Sequence, residues 1–184
     1  PYELNITYFS ALADPQDSVQ VRRFLTTQAV MLGLQGLPGI YFHSLVGTPN
    51  DVAAAESSGI PRRINRRKYL LEELDQSLAD PDGVPRQVLR GMQRLLDTRA
   101  QQAAFHPEGP QEAIASPDPR VLCFRRTSPA GDESIVVAAN CSGEAVTVPA
   151  HEIDKQPRTD LLSDLRLEPG QSCTLAPFQC VWWK

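Results

Sequence analysis

Two different hydrophobic periods share this chain of 184 residues, and they change over at one point, His106-Pro107-Glu108-Gly109-Pro110. Before it the apolar residues recur at helical spacing; after it they come in short runs separated by turn residues. A chain patterned this way has a helix-rich part over residues 1–110 and a strand-rich part over residues 111–184. At this length either one large core or two smaller ones can form.

In the first part, Val21, Phe24, Leu25, Met31 and Leu32 fall near one stripe and predict a helix over Val19 to Gln35. Asp17 or Ser18 would be its N-cap, after the turn-prone Asp14-Pro15, and Gly36 would end it. Pro38-Gly39 leads into Ile40-Tyr41-Phe42, a short apolar run of β-formers that predicts a buried strand. A helix feeding a strand that is apolar on both sides is the αβ half of a parallel-sheet unit, so this part reads as α/β. Val46 to Pro61 carries Gly47, Pro49, Asn50, Gly59 and Pro61 and reads as a long loop. It would leave the C-terminal end of the strand, where parallel sheets and barrels build their sites. A short helix is expected around Tyr69 to Leu78. A stronger one runs from Pro85, suited to a first helical position, to about Ala104.

In the second part, strands are expected at Val121 to Arg126, Ser134 to Asn140, Glu144 to Val148, Asp160 to Leu162, Cys173 to Ala176 and Gln179 to Trp183. Turn signals every eight to twelve residues point to an antiparallel sandwich.

The formal charge of −4 and the interleaving of basic with acidic residues exclude a nucleic-acid-binding stripe, Arg62 to Lys68 being the one basic cluster. No apolar stretch reaches the roughly 20 residues of a membrane helix. The four cysteines have no zinc-type spacing and sit in or beside strand-like runs, so they read as apolar fillers in a reducing cytoplasm, with no metal site. The chain opens without an initiator Met or signal-peptide core, as if in mid-protein.

The strings Tyr2-Glu3-Leu4-Asn5-Ile6-Thr7-Tyr8-Phe9-Ser10-Ala11-Leu12, Gly36-Leu37-Pro38-Gly39-Ile40-Tyr41-Phe42-His43-Ser44 and Arg63-Ile64-Asn65-Arg66 resemble the sucrose phosphorylase group of the alpha-amylase superfamily, glycoside hydrolase family 13. Within it they are most similar to the branch with glucosylglycerate and sucrose 6-phosphate phosphorylases. The likeness is good over residues 1 to about 105 and looser beyond. It implies the C-terminal part of a (β/α)8 TIM barrel followed by a β-sandwich, with Ile40 to His43 as the eighth barrel strand. It also implies a retaining mechanism in which an Asp attacks the anomeric carbon, a Glu protonates the leaving oxygen, and inorganic phosphate, the co-substrate, takes the glucosyl group. The family's three catalytic carboxylates would all lie before Pro1, so the chain carries no catalytic residue of its own, and no other cofactor is implied.

Arg66 matches the family arginine that faces phosphate or the acceptor sugar, where a guanidinium fork binds two oxygens at once. On its residue type alone it is a surface or capping arginine. Asn65 either orients Arg66 or caps the following helix. Arg63 adds positive potential for an anionic acceptor or is simply solvated. Gly59 is followed by Ile60-Pro61 where relatives tend to carry an arginine. Tyr2 and Glu3 resemble the end of a loop lining the acceptor side. His43 stands either at the functional end of a barrel strand or as a hydrogen-bonded structural residue, and Asn50-Asp51 reads as a turn. Asn5-Ile6-Thr7 and Asn140-Cys141-Ser142 match the glycosylation pattern but stay silent in a cytoplasmic protein. Of Trp182 and Trp183 one is expected in the core, since neighbours in a strand face opposite ways.

The leading function is thus the C-terminal part of a glycoside phosphorylase, with a sugar and phosphate as partners. An amylase-type hydrolase or transglucosidase and a non-catalytic carbohydrate-binding or interaction module are the alternatives. A half-barrel exposes strand edges and an apolar helix face. It calls for the missing barrel strands or an intermolecular partner, including a second copy of the chain.

Overall fold

In the computed structural model, which describes residues 4–14, 19–116, 118–149 and 158–184, the helical stripe of the first part forms a helix somewhat shorter than its pattern. In chain order the helices are α1 (Tyr8–Ala11), α2 (Gln20–Gly33), α3 (Phe42–Leu45), α4 (Val52–Ser58), α5 (Leu71–Ala79) and α6 (Val84–Ala100), with 3-10 turns at Pro61–Asn65 and Ala103–Phe105. The strands are β1 (Gln111–Ala113), β2 (Val121–Thr127), β3 (Ser134–Asn140), β4 (Val146–Pro149), β5 (Arg158–Thr159), β6 (Arg166–Leu167), β7 (Ser172–Leu175) and β8 (Cys180–Trp183). They divide into two units, Pro1–Phe24 with Gly39–Met92, and Leu25–Pro38 with Gln93–Lys184. No helix among the described residues is long and apolar enough to cross a membrane.

In the first unit Thr7 caps α1, its side chain accepting from the Ser10 N–H at 3.2 Å. That cap aims Phe9 inward, where its ring meets Phe24 edge-on with centroids 5.2 Å apart, a pairing worth about 0.5–1.5 kcal/mol beyond its buried area. Gly47 follows at φ +57, and a Cβ there would stand 2.8 Å from Val88 Cγ2, so both its backbone and its surroundings call for glycine. The strand expected at Ile40–Phe42 does not form. The backbone is extended at Tyr41 (φ −79, ψ 140), but a strand exists through its ladder partners, and none of the described residues pairs with it. Instead α3 starts at Phe42, leaving Tyr41 57% and Phe42 46% exposed while His43 turns inward.

The loop expected over Val46 to Pro61 is also more ordered than its composition suggests. Asp51 accepts the Ala54 N–H at 3.1 Å and so caps α4, which stops at Gly59 in the left-handed region. The Asp51 N–H donates to the Ile64 carbonyl at 2.8 Å, which folds the excursion back on itself. The caps Asp17 and Ser18 expected for α2 lie outside the described residues.

In the second unit all ladders among the described residues are antiparallel: a four-stranded sheet in the order β1-β2-β3-β8, and the pairs β4-β7 and β5-β6. Five of the six expected strands are present within two residues. The sixth shifts from Asp160–Leu162 to Arg158–Thr159, with Asp160 reduced to a single bridge to Trp183, and the short β1 and β6 had no alternation long enough to read. Register places Cys123, Ala138 and Val181 side by side on one face, and Phe124, Val137 and Trp182 on the other. The first face joins Val146, Val148, Cys173, Leu175 and Trp183 in a single core. On the second, Gly33 of α2 stands so near the sheet that a Cβ would be 3.0 Å from Val137 Cγ2, and Phe105 meets Trp182 edge-on at 4.7 Å. Both faces of the sheet are therefore covered, and both tryptophans are core residues, at 0% and 1% exposure, where one was expected.

Two arginines close the end of α2. Arg126 is fully buried and donates to the carbonyls of Gly33 (2.9 Å), His106 (2.7 Å) and Gly109 (3.1 Å). Arg99 donates to the carbonyls of Leu32 and, at 2.8 Å, of Phe105. Cations at a helix C-terminus meet both its unpaired carbonyls and its dipole. Helix α6 ends at Ala100, four residues before the pattern suggested. Of the cysteines, Cys123 and Cys173 are buried fillers as expected, Cys141 is exposed, and all four are free thiols.

Candidate functional site

The first unit holds a cavity of about 240 Å³, whose lining includes Thr7, Tyr41, His43, Ser44, Thr48 and Asn65. Local hydrogen bonds bring these segments together. Asn50 accepts the Thr7 N–H on its side-chain oxygen at 2.7 Å and donates its own N–H to Ser10 Oγ at 2.9 Å, tying the start of the chain to the segment after α3. The Asp51–Ile64 backbone bond then sets the Pro61–Asn65 turn beside the same segment. Asn50 and Asp51 are thus structural, as their turn-forming types suggested.

His43 is 8% exposed, and its Nδ1 is 3.0 Å from Thr48 Oγ1. Thr48, 1% exposed, accepts in turn from the Tyr69 hydroxyl at 3.0 Å. Burial lowers the His43 pKa from its usual value, and the nearby positive charge of Arg67 lowers it further, so the imidazole is neutral near pH 7. Arg67 itself lies over the Tyr69 ring, 4.7 Å from its centroid, and pairs with Glu73. Asn65 Oδ1 is sealed from solvent and has no hydrogen-bond partner, and an orphaned buried acceptor of this kind calls for an explanation.

Of the residues singled out from sequence, His43 and Asn65 therefore come together in one cavity. Arg63 and Arg66 sit on or just after the adjoining 3-10 turn, both exposed and neither lining the cavity. The Arg66 N–H donates to the Arg63 carbonyl at 3.2 Å, ending the turn, and its guanidinium has no bonded partner among the described residues. Tyr2 and Glu3 lie outside the described residues. Thr48 and Tyr69 were missed: a single hydroxyl residue after a glycine has no pattern of its own, and its partner stands 21 residues further on. Among the described residues no group of three or more His, Cys, Asp or Glu is placed to hold a metal ion.

The helical first part and the antiparallel second part both have counterparts among known proteins. Residues 111–184 match the family described as Amylosucrase, C-terminal domain. A crystal structure of an AmyP variant in complex with maltotriose superposes with a TM-score of 0.70 at 15% identity, over 95% of this chain and 37% of that one, which speaks for the fold alone.

The resemblance read from the motifs is borne out: the chain is similar to the C-terminal portion of the sucrose phosphorylase group of glycoside hydrolase family 13. Glucosylglycerate phosphorylase of Allomeiothermus silvanus is 36% identical over 99% of the chain and 31% of its own length. That of Escherichia coli strain K12 is 32% identical over 100% of the chain and 32% of its own length. Sucrose phosphorylase of Streptococcus mutans is 29% identical over 71% of the chain. The chain thus spans about a third of the length of the glucosylglycerate phosphorylases it matches.

Proposed function

We propose that this chain works as the acceptor-side and anion-side part of a longer, retaining glycoside phosphorylase that moves a glucosyl group from an alpha-glucoside, sucrose-like or glucosylglycerate-like, to inorganic phosphate. In this reading residues 1–110 complete a (β/α)8 barrel and residues 111–184 form the β-sandwich that follows it. The match of residues 111–184 to an amylosucrase C-terminal domain supports that division, and the likeness of nearly the whole chain to glucosylglycerate phosphorylases supports the activity. The exposed apolar side chains of the first unit, Leu4, Tyr41, Leu70 and Leu71 among them, suit a surface that further barrel strands cover.

The nucleophile and the acid/base are carboxylates contributed from outside these 184 residues, about 5 Å apart as retention requires. Phosphate is the co-substrate, and no metal or organic cofactor enters. The observation that carries the proposal is Arg66: exposed, unengaged among the described residues, and next in sequence to the cavity-lining Asn65. Its planar fork fits a phosphate or a glycerate carboxylate. Arg63 adds charge beside it, and Tyr2 and Glu3 belong to the acceptor side in the same reading.

The test is phosphorolysis by the full-length enzyme. Arg66→Ala should raise the KM for phosphate by about tenfold or more, the cost of one charge-assisted anion contact, while Arg66→Lys recovers only part. Phosphate-dependent cleavage that survives Arg66→Ala unchanged would overturn the assignment of Arg66, and cleavage by the wild type that does not depend on phosphate would favour an amylase-type hydrolase or transglucosidase.

A further inference from the structure

We propose that Tyr69 is a positioning residue for Arg66: bonded to Thr48 and covered by Arg67, it pins the segment that carries Arg66, so that the guanidinium is presented to an anion from a fixed stretch of backbone. This deepens the phosphorylase reading and rests on it for what Arg66 binds. The segment needs such a pin. Residues 66–70 lie between the Pro61–Asn65 turn and α5 and form neither helix nor strand. The Arg66 N–H closes the turn, but Arg67, Lys68 and Tyr69 make no backbone hydrogen bond to any described residue. A stretch without such bonds belongs to the least stable part of a fold unless side chains hold it.

Exposure alternates along this stretch: Arg66 and Lys68 are exposed, while Arg67 and Tyr69 are half-buried, the pattern of an extended chain with one side against the protein. The inward residues carry the tethers. The Tyr69 hydroxyl donates to Thr48 Oγ1 at 3.0 Å. Thr48 is a firm post: it is 1% exposed, its N–H donates to the His43 carbonyl at 2.9 Å, and it follows Gly47, which is packed against Val88. Arg67 lies over the Tyr69 ring, 4.7 Å from its centroid, and pairs with Glu73 in the first turn of α5. An ion pair open to solvent holds little by itself, and a cation over a partly exposed ring adds modestly, so the hydroxyl bond to a buried threonine is the stronger tether. Fixing Arg67 and Tyr69 inward sets Arg66 and Lys68 outward, because neighbours on an extended chain point opposite ways. With no bonded partner of its own among the described residues, the Arg66 side chain takes its position from this backbone. An anion then meets a guanidinium already placed, whereas a loose segment would be ordered only on binding, at the expense of affinity.

The experiment uses the full-length enzyme and two readouts. The first is limited trypsin digestion, since Arg66, Arg67 and Lys68 are themselves cleavage sites. Tyr69→Phe, which keeps the ring and removes the hydroxyl, should be cut after these residues about fivefold faster than wild type, one hydrogen bond's worth, with cuts elsewhere in the chain unchanged. The second is the KM for inorganic phosphate, which Tyr69→Phe should raise about fivefold with kcat within about twofold. In an Arg66→Ala background Tyr69→Phe should raise it no further. Thr48→Val should reproduce Tyr69→Phe in both readouts, and Thr48→Ser, which keeps the hydroxyl, should match wild type. A trypsin pattern or a phosphate KM unchanged in Tyr69→Phe, or an equal rise in KM with and without Arg66, would overturn the positioning role. Faster cutting of Tyr69→Phe in an enzyme whose wild type cleaves its glucoside without phosphate would instead overturn the phosphorylase reading and leave the pinned segment standing.

Discussion

A guanidinium nitrogen of Arg126 donates to the carbonyl of Gly33 at 2.9 Å, across 93 residues of sequence. The same side chain holds the carbonyls of His106 and Gly109, so one strand residue closes a helix end and organises the turn before the sheet. Arg126 is buried without a carboxylate among these partners, and burial, with the nearby Arg99 charge, lowers its pKa. Its charge is offset by carbonyl dipoles instead. Removing the side chain strands the carbonyls of Gly33 and Gly109, each costing about 1–3 kcal/mol when unpaired and buried, while that of His106 keeps the Gly109 N–H at 2.9 Å. Arg126→Met should lower stability by about 3 kcal/mol or more, read as a drop in urea midpoint at constant m. Arg126→Lys should rescue little, because a point-like ammonium cannot serve three diverging acceptors. A midpoint unchanged in Arg126→Met would refute this account of the helix end.

Gly109 makes a related prediction by a different mechanism. A Cβ on it would stand 2.4 Å from the Thr127 carbonyl oxygen, a backbone atom that cannot turn aside. Gly109→Ala should therefore cost about 1–3 kcal/mol through forced backbone movement, whereas Gly131→Ala, with open space around the site but a φ of +78, should cost about 1 kcal/mol from conformation alone. Thermal melts of the two variants, compared side by side, check the order.

The cysteines differ in environment and so in chemistry. Burial pushes the Cys123 thiol up to about 12 and raises Cys173 and Cys180 as well, while Cys141 is exposed. Because the thiolate is the reactive form, alkylation of the native protein near pH 8 should label Cys141 first, and the other three should follow only on unfolding. Mass spectrometry of a timed iodoacetamide reaction reads the order directly, and early labelling of Cys123 would contradict it.

The lowered pKa of His43 carries a pH signature. The unfolded chain takes up the proton near pH 6.5 and the folded chain only below that. The unfolded state thus binds more protons as pH falls through this window, and stability drops. Above about pH 6.5 the term is absent, because both states are neutral. Urea midpoints at pH 7.5 and 5.5 should differ more for the wild type than for His43→Gln, which removes the titrating group. Equal differences would show that His43 does not gain its proton more readily on unfolding.

Most of the second unit was legible because its signals are local: Ser172–Leu175 alternates polar and apolar residues, and Ser134–Asn140 holds a short unbroken apolar run, each carried within the segment itself. What was not legible depends on distant partners. Ile40-Tyr41-Phe42 has the composition of a buried strand, but no described residue supplies a ladder for it. The helix over Val52–Ser58 was hidden by the glycines and prolines around it, although Asp51 ahead of an alanine run was a visible cap. At the site, His43 and Asn65 were found through motif resemblance, whereas the Thr48–Tyr69 connection beside His43 is a property of folding alone. The mate expected to leave the core, one of Trp182 and Trp183, stayed inside because α2 and Phe105 cover the sheet's second face.

That burial of two adjacent indoles on opposite faces makes Trp182-Trp183 a built-in optical ruler. Trp183 sits among Val136, Val181 and Leu175, wholly within strand-derived packing, while Trp182 owes its dryness to Phe105. Any event that peels the helical layer from the sheet without opening the strands should redden the emission of one indole and leave its neighbour blue. Single Trp→Phe variants then separate loss of the helical layer from melting of the strands, with no external dye.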